Sequence, residues 1–116
     1  MVTPAEYNLT IRIGTDFNQL FEFQQPDEIA MDLTGFTIKS QIRRKKRRDA
    51  DLIAEFVVTI PDPTDGKVYL SLTDTVTSEL SSREAYYDVL ITSPTEVDEL
   101  YLEGRASISY IVTEKG

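Results

Sequence analysis

The sequence predicts an all-β chain, an antiparallel two-sheet β-sandwich of seven to eight short strands with one short connector helix near 73–80. Three observations carry this. Apolar and polar residues alternate at period two along most of the chain, as strands with one buried face require. Turn-forming residues interrupt that alternation at short intervals. No long stretch carries the periodicity of an amphipathic helix, so the apolar faces must be buried by packing sheet on sheet. A small barrel is the other closed form that such a pattern allows.

The elements follow in order. Leu9, Ile11 and Ile13 alternate with Asn8, Thr10 and Arg12, and Gly14-Thr15-Asp16 marks a turn. Phe17, Phe21 and Phe23 share one parity on a second strand, which places them toward the core. Gln25-Pro26-Asp27-Glu28 ends it, and Asp32-Leu33-Thr34-Gly35 turns into a third strand with Phe36, Ile38, Ser40 and Ile42 on one face. Leu52 to Ile60 is apolar on both parities, the mark of a strand covered on part of its second face.

Pro61-Asp62-Pro63-Thr64-Asp65-Gly66 breaks the ladder, because two prolines lack N–H donors and Gly66 supplies a positive φ. Val68, Leu70 and Leu72 then face inward. Thr73 or Asp74 caps the connector helix, and Val76 and Leu80, four apart, are expected to cover one end of the core. Tyr87, Val89 and Ile91 form the next inward set, with a turn at Ser93-Pro94-Thr95. Val97 to Leu102 and Arg105 to Val112 read as two last strands separated by Glu103-Gly104, the second with Ala106, Ile108, Tyr110 and Val112 on one face. Tyr69, Tyr101 and Ile111 fall on outward parities.

A chain of 116 residues is of single-domain size, here 1–116 with a core from about 7 to 113 and flexible termini. It has no cysteine, so stability must come from packing and strand pairing. The first residues, Met1 to Glu6, lack a basic segment followed by an apolar one, and no apolar run is long enough to span a bilayer, so synthesis in the cytoplasm is expected.

The absence of histidine and cysteine removes the commonest general base, zinc ligands and the thiol nucleophile. The acidic residues are scattered over turns and polar strand faces, and the glycines are isolated at turns rather than gathered in a phosphate loop. Asp62 to Gly66 does not match a calcium-binding loop and reads as turn chemistry. No catalytic residue, cofactor or metal is expected.

The one charge feature above background is Arg43-Arg44-Lys45-Lys46-Arg47-Arg48. The net charge is −8, and the 110 residues outside this run hold six basic against twenty acidic residues, or −14. Six like charges repel, so the run is expected at an exposed hairpin tip between the Phe36 and Leu52 strands. It reads either as a solvated loop or as a docking element for an acidic surface, a neighbouring copy or a distinct partner. Nucleic acid ranks lowest, because aromatics are not interleaved and the remaining charge repels phosphate. Tyr86 and Tyr87 supply either a tyrosine corner or one core and one surface aromatic.

Read in order, Gly14-Thr15-Asp16-Phe17, Asp32-Leu33-Thr34-Gly35-Phe36, Ile42-Arg43, Gly66-Lys67-Val68-Tyr69-Leu70-Ser71-Leu72-Thr73, Thr77-Ser78-Glu79-Leu80, Tyr86-Tyr87-Asp88-Val89 and Leu102-Glu103-Gly104 resemble a known module. It is the immunoglobulin-like virion module of tailed bacteriophages, as in the N-terminal domain of baseplate upper proteins and in small tail-fibre-associated or capsid decoration proteins. The resemblance runs from about Tyr7 to Thr113 and leaves out the basic run. It implies an immunoglobulin-like sandwich that acts without catalysis as an adaptor, attachment or decoration module. It also implies a virion location, several symmetric copies, and partners among capsid, neck, baseplate or fibre subunits. A carbohydrate- or host-surface-binding sandwich is the alternative, although Trp is absent and the tyrosines are dispersed.

Overall fold

A computed structural model describes residues 5–24 and 29–112. Gln25-Pro26-Asp27-Glu28, residues 1–4 and 113–116 lie outside them. The fold is an all-β sandwich of two sheets. One sheet has six strands, β1 (Ala5–Glu6), β2 (Leu9–Arg12), β4 (Thr37–Arg43), β5 (Leu52–Glu55), β8 (Arg83–Thr92) and β9 (Asp98–Ser109), in the order β1-β9-β8-β4-β5 with β2 also on β9. The other has β3 (Phe17–Glu22), β7 (Lys67–Leu72) and β6 (Val57–Thr59), in the order β3-β7-β6. The pairings are antiparallel except at one edge, where β1 and β2 run parallel to β9.

The inward parities read from the sequence meet between the sheets. Leu9 and Ile11, Phe21 and Phe23, Ile38 and Ile42, Val68, Leu70 and Leu72, and Tyr87, Val89 and Ile91 are all buried in one cluster. Ser40, on the same parity, is buried as well, and its hydroxyl donates to the Asp88 carbonyl oxygen at 2.6 Å. No buried side-chain polar atom among the described residues lacks a hydrogen-bond partner. A buried polar group left unpaired would cost about 1–3 kcal/mol.

Several local expectations are corrected. The Leu52 to Ile60 stretch is two strands: β5 lies in the long sheet and β6 in the short one. The chain changes sheets at Phe56, whose buried ring packs near Phe17 and Tyr87 while its N–H donates to the Ser40 carbonyl. Apolar residues on both parities thus reflect a change of layer rather than a covered second face.

Glu103-Gly104 does not end a strand, because β9 runs unbroken from Asp98 to Ser109. The neighbouring edge breaks there instead, into β1 and β2. Tyr7 donates its N–H to the Glu103 carbonyl, and the Asn8 side chain accepts from the Arg105 N–H. A Cβ on Gly104 would stand 2.1 Å from the Tyr7 carbonyl oxygen, so only glycine admits this approach. Past Ser109 the alternation no longer predicts burial: Tyr110 and Val112 are exposed.

Tyr101 is the third correction. A register shift between Val89 and Leu90 moves it off the outward row, and its ring packs near Phe23 at 5.6 Å between centroids. Fourth, the connector helix is a single turn, α1 (Asp74–Thr77), capped by Thr73, whose hydroxyl oxygen accepts from the Val76 N–H. Leu80 packs against the core, but Val76 is 40% exposed and Thr77, at 0%, is the residue that closes the core. Thr77 donates to the Thr15 carbonyl and accepts from the Gly14 N–H, tying α1 to the β2–β3 turn. At the N-terminal edge, Ala5 and Glu6 pair with Leu102 and Glu103.

Candidate docking face on the long sheet

The outward side chains of β4, β8 and β9 are set by strand register. Lys39, Leu90 and Leu100 form one rung, Gln41, Asp88 and Glu103 the next, and Arg43, Tyr86 and Arg105 a third. The middle rung continues to Glu55 on β5 and Glu6 on β1. It therefore aligns four carboxylates around one amide, a repulsive row unless cations reach it.

The 44–51 loop supplies them. Arg43 belongs to β4 and is half-buried, with its guanidinium donating to the Ala50 carbonyl and to Gln41 Oε1, each at 2.8 Å. Gln41 Nε2 in turn donates to Glu55 at 3.0 Å. Ala50 is buried, and the Ala50 N–H donates to the Arg47 carbonyl, which folds the exposed tip over a turn anchored at its base. Lys46 crosses β4 and β8 to donate to Glu103 Oε1 at 2.8 Å. That hydrogen bond and the nearby charges of Glu103, Glu6 and Asp88 raise the Lys46 ammonium above its ordinary pKa. Burial, then the neighbouring Glu103, pushes the Asp88 carboxyl above its ordinary value, with Arg43 and Lys46 acting against the shift.

The exposed hairpin tip expected at 43–48 is present from Arg44 to Arg48, all exposed between antiparallel β4 and β5, while Arg43 is half-buried on the strand. Four of the six cations are engaged: Arg43, Lys46, Arg44 with Asp51 at 3.5 Å, and Arg47 with Asp49 at 3.1 Å. The side chains of Lys45 and Arg48 make no ion pair or hydrogen bond among the described residues. Both border an open groove of about 740 Å³ whose floor includes Tyr86, Leu90 and Leu100. Cationic rim and part-apolar floor together suit an acidic segment that carries an apolar side chain.

The floor was only partly legible. Parity along the Phe36 and Tyr86 strands places Lys39, Gln41, Tyr86 and Asp88 outward, but Glu103 and Leu100 join them through long-range register alone. Tyr86 and Tyr87 resolve into a surface and a core aromatic. No tyrosine corner forms, since the Tyr87 hydroxyl donates to the distant Tyr7 carbonyl at 2.6 Å. At the Asp62 to Gly66 turn, Asp62 caps a short 3-10 turn (Pro63–Asp65) and Gly66 takes φ 67°. Among the described residues no three potential metal-ligating side chains converge.

No protein-family model matches the chain, and no curated protein matches it in sequence.

Proposed function

We propose that this protein is a noncatalytic structural module of a tailed-bacteriophage virion, an adaptor, baseplate or fibre attachment, or decoration piece that works through protein–protein contacts. The resemblance of its ordered turn-and-strand phrases to such modules motivates the class. The observation that carries the docking role is the pair of unengaged cations, Lys45 and Arg48, at the rim of the groove over Tyr86, Leu90 and Leu100. The loop's own carboxylates leave them over, and long-range attraction and register are what such charges supply to an encounter.

The test is replacement of Lys45 and Arg48 by Ser, and separately of all of Arg43 to Arg48. The double variant keeps its circular-dichroism spectrum and melting temperature but enters assembled particles less well, with the deficit largest at low salt. Unchanged incorporation at low and high salt would leave the run as a solvated loop. Specific glycan capture on an array, lost on Tyr86→Ala, would select the carbohydrate- or host-surface-binding reading instead.

A further inference from the structure

The groove's rim and the opposite end of the same molecule carry opposite charge. Thr37, Thr92 and Asp98 are register partners at one end of the long sheet, and Arg43, Tyr86 and Arg105 are partners toward the other. The 32–35, 61–66 and 93–97 loops gather at the first end: Leu33 donates its N–H to the Pro63 carbonyl at 2.7 Å, and Gly35 abuts Pro94. The basic loop rises from the second end of a molecule 45 Å long.

Asp32, Asp62, Asp65 and Glu96 are exposed at the first end. Asp32 and Asp62 are held alike. Oδ1 of Asp32 accepts from the N–H and hydroxyl of Thr34, at 2.9 and 2.6 Å, and Oδ1 of Asp62 from those of Thr64, at 3.0 and 2.7 Å. The second oxygen of each makes no hydrogen bond among the described residues, so two oriented carboxylates face solvent with an acceptor to spare.

We infer that the occupant of the groove is a second copy of this chain, whose acidic end loops seat against Lys45 and Arg48, so that copies associate head to tail. This rests on the docking-face reading above and names its partner. A chain of net charge −8 repels its copies side by side. End-to-end approach brings the cationic rim to the acidic pole, the orientation in which the net repulsion is locally reversed. Such a contact joins two different surfaces, so it propagates into a ring or an open row according to the rotation between copies.

Sedimentation velocity of the purified chain at ~20 mM and ~500 mM salt tests this, with association weakened at least about tenfold at the higher salt. Lys45→Glu with Arg48→Glu should abolish self-association. So should Asp65→Lys with Glu96→Lys, positions whose side chains make no hydrogen bond among the described residues. Mixing the two reversed proteins makes both rim-to-pole contacts between unlike copies complementary, one charge-reversed and one original, and restores association with the two proteins alternating. A wild-type chain that stays monomeric at low salt, or reversed proteins that do not pair on mixing, overturns the inference. If the wild type is monomeric while the Ser variants still lose particle incorporation, the head-to-tail contact fails and the docking role stands with another subunit as occupant.

Discussion

The Tyr87 hydroxyl donates to the Tyr7 carbonyl oxygen at 2.6 Å, a bond between residues 80 apart that ties the centre of β8 to the break between β1 and β2. Tyr87 and Gly104 are register partners. The glycine removes the side chain that would fill this space, Tyr7 brings its carbonyl into it, and the Tyr87 phenol supplies the donor. Residues of β8, β9 and the break between β1 and β2 thus make one joint.

Tyr87→Phe deletes that donor while keeping the ring, and should cost about 1–2 kcal/mol in urea unfolding. Burial raises the Tyr87 phenol above its ordinary value of 10.0, so the folded state holds this proton more tightly than the unfolded one. The stability it contributes is complete below pH 10.0 and lost as pH rises further toward the folded value. Wild type should therefore lose stability more steeply than Tyr87→Phe in that alkaline window, as paired urea titrations would show.

Gly104→Ala should be among the most damaging single methyl additions, at about 3 kcal/mol, because the clash is with main chain. Gly14→Ala is the comparison. Gly14 has φ 88° with nothing within 4 Å of an added Cβ. Its cost is only the left-handed backbone penalty, about 1–2 kcal/mol. Equal losses in equilibrium unfolding would refute the steric account of Gly104.

At the α1 end, Thr77→Val keeps the shape but strands the Thr15 carbonyl and the Gly14 N–H, and should cost about 1–3 kcal/mol. Thr77→Ser retains the hydroxyl and should recover much of that. Val76→Ala, on an exposed side chain, should stay within about 0.5 kcal/mol. A larger loss at Val76 than at Thr77 in thermal melts would reverse this assignment of the core plug.

Acid should separate two kinds of carboxylate. The side-chain and backbone hydrogen bonds from Thr34 and Thr64 hold Asp32 and Asp62 below the usual carboxylate pKa. What they contribute is present above that usual value and lost as pH falls through their lower folded values. Asp88 has the opposite sign: its raised folded pKa means the ionised form costs stability above that value, and the cost is relieved as pH falls toward the ordinary one. Asp88→Asn should therefore unfold at slightly higher urea than wild type at pH 7 and lose that advantage below about pH 4. Asp32→Asn with Asp62→Asn should melt earlier at neutral pH, the difference shrinking in strong acid.

Alternation made most of the core legible without coordinates. Each run from Leu9 to Ile13, Phe36 to Ile42, Val68 to Leu72 and Tyr87 to Ile91 has a period of two, and a sandwich buries one face of each, so local order dictates which side chains go inside. The turns at Gly14, Gly35 and Gly66 were legible for the same local reason, all three having positive φ. Parity misled where a non-local event intervened. Phe56 carries the chain from one sheet to the other, the bulge beside Leu90 rotates Tyr101 inward, and β9 passes through Gly104 because the interruption belongs to its neighbour.

The basic run shows the same division in charge. Its position between two strands and its conflict with an acidic chain follow from residue order, since like charges in succession must reach solvent. Which of those charges are spent does not. Lys46 meets Glu103 because β9 lies two strands from β4, Arg44 and Arg47 pair with Asp51 and Asp49 of their own loop, and Lys45 and Arg48 make no ion pair among the described residues. Pairing across a sheet depends on register between distant segments, which alternation along one strand does not encode; the folded order of strands chose both the partner of Lys46 and the charge left for the groove.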